Sequence, residues 1–246
     1  MILHETLNTI MFKTSKYWIT LALLNASQPV QAASTFSQNE VSFSPYIGSG
    51  SISDDSQVRH TSGYAVSYEY NWTISGFSIG PRIEFINAGM STKSTNDNLN
   101  TQRTYDSDIL AAGLRLTTGV HPMFTPLNGF YLSVLAGMGN TKITENESST
   151  TTYMQNSFTG AKGTYDSIEV GSLFAIKGSF GISAAVISSN YHADFTSAKG
   201  TRQGDSLNDA GKVFSLKEDI PANANGFPDS SRLTSSAFKI GLVLGF

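Results

Sequence analysis

A chain of 246 residues with 16 basic and 19 acidic side chains has neither the basic excess of a nucleic-acid binder nor an acidic tail. It contains no cysteine, which excludes disulfide frameworks, thiolate metal sites and cysteine nucleophiles. Only 14% of the residues are charged, yet 15 Phe, 10 Tyr and 2 Trp are too many aromatics for a disordered chain. With abundant Gly, Ser, Thr and Asn, they indicate a β protein with polar connections.

At the N-terminus, Lys13 and Lys16 precede an apolar stretch over 17–24, and Val30-Gln31-Ala32 supplies small residues at cleavage positions. This is the layout of a secretory signal peptide over 1–32, leaving one domain over 33–246. Met11 is an alternative start to Met1. No later stretch reaches the apolar length of a membrane helix, and alternation with a period of two recurs instead.

In chain order, a first strand over 41–50 carries Val41, Phe43 and Ile47 on one face. A second sets Tyr64, Val66, Tyr68, Tyr70 and Trp72 against Ala65, Ser67, Glu69 and Asn71. The third opposes Ile79, Pro81, Ile83 and Phe85 to Ser78, Gly80, Arg82 and Glu84. Leu110, Ala112, Leu114 and Leu116 face away from Ala111, Gly113 and Arg115 in the fourth. The fifth alternates Phe130, Leu132, Val134, Ala136 and Met138 with Tyr131, Ser133, Leu135 and Gly137. The sixth pairs Ile168, Val170, Phe174 and Ile176 with inward Glu169, Gly171, Ala175 and Lys177. The seventh sets Phe180, Ile182, Ala184 and Val186 against Gly181, Ser183 and Ala185. The last runs Phe238, Ile240, Leu242, Leu244 and Phe246 on one face, with Lys239, Gly241, Val243 and Gly245 on the other.

The polar faces hold small residues and isolated charges, not the dense Lys/Glu cover of a water-facing sheet. That suits a transmembrane antiparallel β-barrel of about eight strands, with bulky apolar residues toward lipid and a lumen filled by side chains. Tight turns near 73–76 and 177–179 alternate with long polar segments at 51–62, 91–104, 144–163 and 194–232. These read as short periplasmic turns and long, flexible outer loops. The last segment is long enough to hide a hairpin near 213–216, so ten strands are the alternative. Pro45 and Pro81 fall within strands and read as bulges or as misplaced strand ends.

Glu69, Arg82, Glu84, Arg115, Glu169, Lys177 and Lys239 project inward on this parity. Buried charges persist only when paired, so they are expected to form a network that plugs the lumen; a selectivity lining is the other reading. An inward neighbour such as Gly113 is expected to accept a change to Ser. Tyr64, Tyr70, Trp72, Phe130 and Phe180 are candidates for aromatic girdles. Thr104-Tyr105-Asp106-Ser107 recurs as Thr164-Tyr165-Asp166-Ser167. The histidines show no metal-ligand spacing, so no metal, cofactor or catalytic site is expected.

With the alternation from Phe238 to Phe246 in view, the chain resembles the small outer-membrane barrel superfamily, which includes the OmpA transmembrane domain, OmpX and opacity-type surface proteins. The resemblance covers roughly residues 36–246. It implies a place in the bacterial outer membrane of a Gram-negative cell. It also implies an assembly signal on Phe238, Ile240, Leu242, Leu244 and Phe246, read by the barrel-insertion machinery. The leading functional expectation is a non-enzymatic, monomeric surface protein that contacts lipid and no nucleic acid. Its barrel anchors outer segments for adhesion, shielding or other surface interaction. A narrow porin-like channel for small polar solutes is the second reading. A membrane-embedded hydrolase, built for instance on Asp54, Asp55 and His60 of one outer segment, is the third. Intact-mass measurement of protein from outer membranes is expected to give a start at Ala33 or Ser34; a mass that retains Lys13 and Lys16 contradicts the signal-peptide reading.

Overall fold

The computed structural model describes residues 36–52, 55–74, 77–96, 99–118, 128–149, 152–177, 180–196, 198–207, 213–221 and 230–245. The proposed signal peptide and Phe246 lie outside the described residues. The strands are β1 (Phe36–Ile52), β2 (Asp55–Ile74), β3 (Phe77–Asn96), β4 (Leu99–Thr118), β5 (Asn128–Ser148), β6 (Thr152–Lys177), β7 (Phe180–Asp194), β8 (Lys199–Leu207), β9 (Val213–Pro221) and β10 (Ser230–Gly245). Strands β1 to β7 pair in sequence order, and β10 closes the ring between β7 and β1, every pairing antiparallel. The barrel therefore has eight strands. The hairpin expected near 213–216 exists as β8–β9, but it stands outside the ring, attached to the outer part of β6.

The face assignment holds along every barrel strand. Leu110 and Met138 are 61% and 74% exposed, and Val41, Phe43, Ile47, Leu114, Ile168, Phe238 and Leu242 also point outward. Such a belt is stable only where hydrocarbon replaces water. On its outer side the exterior turns polar at Asn87, Asp108, Asn140, Asp166 and Asn190. Asn87 donates to Asp108, and Asn190 to Asp166, each at 2.8 Å. At the opposite edge Tyr70 and Trp72 meet edge to face at 5.0 Å, and Phe77 and Phe180, each at the start of its strand, are exposed. Tyr64 lies at the other edge, between Phe43 and Phe85.

Three expectations need correction. Pro45 and Pro81 mark neither bulges nor strand ends. Both lie inside strands with unchanged register, and the ladder merely lacks its bridges to one neighbour there. Next, the outer segments are largely strands, not flexible loops. β2 to β5 run for 20 or 21 residues and β6 for 26, against the roughly 9–11 that cross a bilayer. Their polar composition conceals alternation, because Met90, Tyr105, Ile143 and Phe158 face inward among Ser and Thr, and β-branched Thr suits a strand. Finally, Gly113 is not a permissive lumen position, since a Cβ there would overlap the Val134 carbonyl oxygen.

A β-bulge in the β5–β6 ladder marks where the barrel gives way to the sheet above it. Thr141 pairs with Ala161 and Ile143 with Phe158, so Thr159 and Gly160 together oppose one residue of β5. Gly160 has φ of 82°, which glycine adopts without strain. Below this bulge β6 pairs with β7; above it, with β8. The inserted residue also inverts the parity, bringing Phe158 and Asn156 to the inner face.

Leu114→Arg is expected to destabilise the vesicle-refolded barrel by about 2–4 kcal/mol, whereas Asn140→Arg, beyond the apolar belt, should cost roughly 0–1 kcal/mol. Equal small penalties in urea unfolding would show that the belt does not face lipid.

Candidate functional site

The inward faces of the lower strands converge on a dense ion-pair network. Lys239 Nζ lies 2.8 Å from Glu84 Oε1 and 2.9 Å from Glu169 Oε2. The Arg82 guanidinium meets Glu84 and reaches Glu169 at 3.5 Å. Arg115 contacts Glu40 at 2.5 Å and Glu69 at 2.7 Å. Tyr131 joins the two groups: its hydroxyl donates to Glu169 at 2.6 Å, and its ring lies 4.8 Å from the Arg115 guanidinium carbon. That ring packs across Gly171, where a Cβ would stand 2.6 Å from Cζ. Every charged member is 5% exposed or less.

Six of the seven charges expected in the lumen are therefore brought together. The Lys177 side chain lies outside the described residues. Sequence reasoning missed Glu40, which precedes Val41 and takes the inward parity of its strand. Tyr131 stood on the correct face, but nothing in its type or spacing marks it as the link between charges.

Above the network lies a cavity of about 50 Å³, room for a few waters. Tyr46, Tyr105, Tyr165 and Tyr191 line it, with Lys239 and Glu84 among its polar boundary. The repeated tetrapeptide thus has a structural meaning, since Tyr105 and Tyr165 both face this cavity while Asp106 and Asp166 point outward. Ile143, Phe158, Ala193 and Phe195 belong to the same apolar core.

The outer sheet is crossed by two polar ladders. On one face, Arg103 donates to Glu145 at 2.9 Å, Asn156 to Glu145 at 3.2 Å, and Arg202 to Asn156 at 3.0 Å, linking β4, β5, β6 and β8. Partial burial and the nearby Glu145 raise the neighbouring Glu147 carboxyl above its ordinary value. On the other face, Gln155 donates to Asn146 at 2.9 Å and Gln203 to Gln155 at 2.8 Å. His60 and His192 point outward, Asp54 and His121 lie outside the described residues, and no group of three potential metal ligands gathers among the described residues.

Replacing Lys239 by Met leaves Glu84 and Glu169 to share Arg82, and should cost about 3–5 kcal/mol of refolding stability. Adding Glu84→Gln is expected to recover much of that loss, because it removes the carboxylate that Lys239 had served. A loss below about 1 kcal/mol in the single variant, in the range of exposed pairs, would mean that the network is hydrated.

No family model and no curated protein matches the chain. Among solved structures it is similar to Neisserial surface protein A, with 10% identity over 85% of this chain and 97% of that one, at a TM-score of 0.38. Ail, the attachment invasion locus protein of Yersinia pestis, solved with the heparin analogue sucrose octasulfate, shows 12% identity over 85% and 99%, at 0.39. A major outer membrane protein of Thermus thermophilus shows 10% identity over 84% and 99%, at 0.41. The assignment rests on the geometry: an even-stranded closed ring, an apolar exterior bounded by polar side chains and a lumen filled by paired charges. The chain is a closed eight-stranded antiparallel β-barrel with the apolar exterior of a membrane-spanning one.

Proposed function

We propose that the barrel is a sealed, non-enzymatic anchor that raises a folded β-sheet platform above the membrane for adhesion or other surface interaction. The observation that carries this reading is the continuation of β3 to β6 past the apolar belt as one hydrogen-bonded sheet, widened by β8 and β9. A conducting pore has no need of such a superstructure. A platform does, because a preordered surface loses little conformational entropy on contact with a partner. The cross-lumen pairs support the sealed reading, since they tie β10 to β3 and β6, and β4 to β1 and β2. Recognition of the C-terminal strand by the barrel-insertion machinery, and a monomeric state, belong to the same proposal.

Adherence of bacteria displaying the chain to epithelial monolayers tests the platform. Cells with the full protein should adhere several-fold better than vector controls, and deletion of 199–221, which leaves every barrel strand intact, should return adherence to the control level. Full-length chain at the cell surface without any gain in adherence would contradict the adhesive reading.

A further inference from the structure

Above the apolar belt, the outward face of the sheet is built in rows. Gln102, Asn146, Gln155 and Gln203 stand opposite one another in register on β4, β5, β6 and β8. Three of these carboxamides form a head-to-tail chain, in which Gln203 donates to Gln155 at 2.8 Å and Gln155 to Asn146 at 2.9 Å. The Tyr153 hydroxyl approaches the same Asn146 oxygen at 3.5 Å. One row nearer the barrel, Thr104, Thr144, Ser157 and Thr201 make a matching line of hydroxyls.

A sheet that merely faces water carries many Lys and Glu side chains. Here the charges among the described residues stand at the borders of the two rows. Lys93 lies opposite Gln102 at the β3 end, Asp205 follows Gln203 on β8, and Asp106 opposes Lys142 below the hydroxyls. Tyr153, 47% exposed, is the one aromatic ring among the described residues of this face. A charged partner would find no line of counter-charges here, and an apolar one no apolar surface.

We propose that the row from Gln102 to Gln203, with Tyr153, binds an uncharged polysaccharide lying across the strands. Each carboxamide offers a donor and an acceptor side by side, the match for neighbouring sugar hydroxyls. The Tyr153 ring supplies a flat apolar plate for the C–H face of a sugar. Adjacent strands lie about 4.8 Å apart, close to the length of one pyranose ring, so successive sugars meet successive carboxamides. Because three of the amides already hold one another, little side-chain entropy is lost on contact. The inference rests on the platform reading above and names the chemistry of its partner.

The test presents the full-length barrel in lipid nanodiscs with neutral oligosaccharides of two to six units from the cello-, manno-, chito- and malto-series. Dextran sulfate and polygalacturonate serve as charged controls. At least one neutral series should bind, with no change between low and high salt. Affinity should rise with each added unit up to about four, one per carboxamide, and then level off. Gln155→Ala combined with Gln203→Ala should weaken that binding about tenfold. Should that chain fail to refold, Tyr153→Ala carries the same expectation. Silence of every neutral series, binding of the charged controls alone, or undiminished binding by the variants would overturn the proposal. Adherent cells whose protein binds none of these sugars would sink the polysaccharide and leave the platform standing; sugar binding without adherence would do the reverse.

Discussion

Within hydrocarbon, each backbone N–H and C=O left unpaired costs several kcal/mol, since no water is present to take the place of the missing partner. That constraint requires the sheet to close, and here closure depends on β10, which returns after the β8–β9 hairpin to pair with both β7 and β1. Once the ring is closed, alternation decides everything about its two faces. One residue in two meets lipid and must be apolar; the next meets a lumen only wide enough for side chains. Small residues fill most inward positions, and this leaves room for the few long charged ones to meet across the axis.

The interior is layered. At one end, paired charges span the lumen; above them come the tyrosine-lined cavity and an apolar cluster that includes Ile109, Ile143 and Phe158. Only the apolar part resembles the core of a water-soluble protein. It lies where the wall rises beyond the lipid belt, so its outer faces can be polar in the ordinary way. The bulge at Gly160 separates the two regimes: below it β6 is a barrel stave, above it the centre of a sheet that no longer needs to close. Polar ladders can form there because water satisfies whatever the ladders leave unpaired.

Much of this was legible in the sequence because lipid exposure inverts the usual pattern without disturbing its period. Leu110, Leu114 and Leu116 alternating with Ala111, Gly113 and Arg115 specify both strand and facing, so six lumen charges could be named without coordinates. The outer sheet was harder to see. Ser and Thr dominate it, and the inserted residue at the bulge moves the inward set from odd numbers such as Tyr165 to even ones such as Phe158. A reading that assumes one parity per strand loses the signal there. The partner of β8 was not legible at all, because a register between residues 46 apart, as for Asn156 and Arg202, leaves no local mark. Gly113 shows the reverse failure: its small size looked like tolerance, whereas it reflects close approach of the next strand's backbone.

In the proposed function, buried ion pairs make this barrel a closed anchor. Conductance of the refolded full-length chain in planar lipid bilayers tests it most directly. A sealed lumen requires no steady current at moderate voltage in molar potassium chloride. Reproducible ohmic steps of uniform size would show an open path past Arg82, Glu169 and Lys239, and would make the protein a channel.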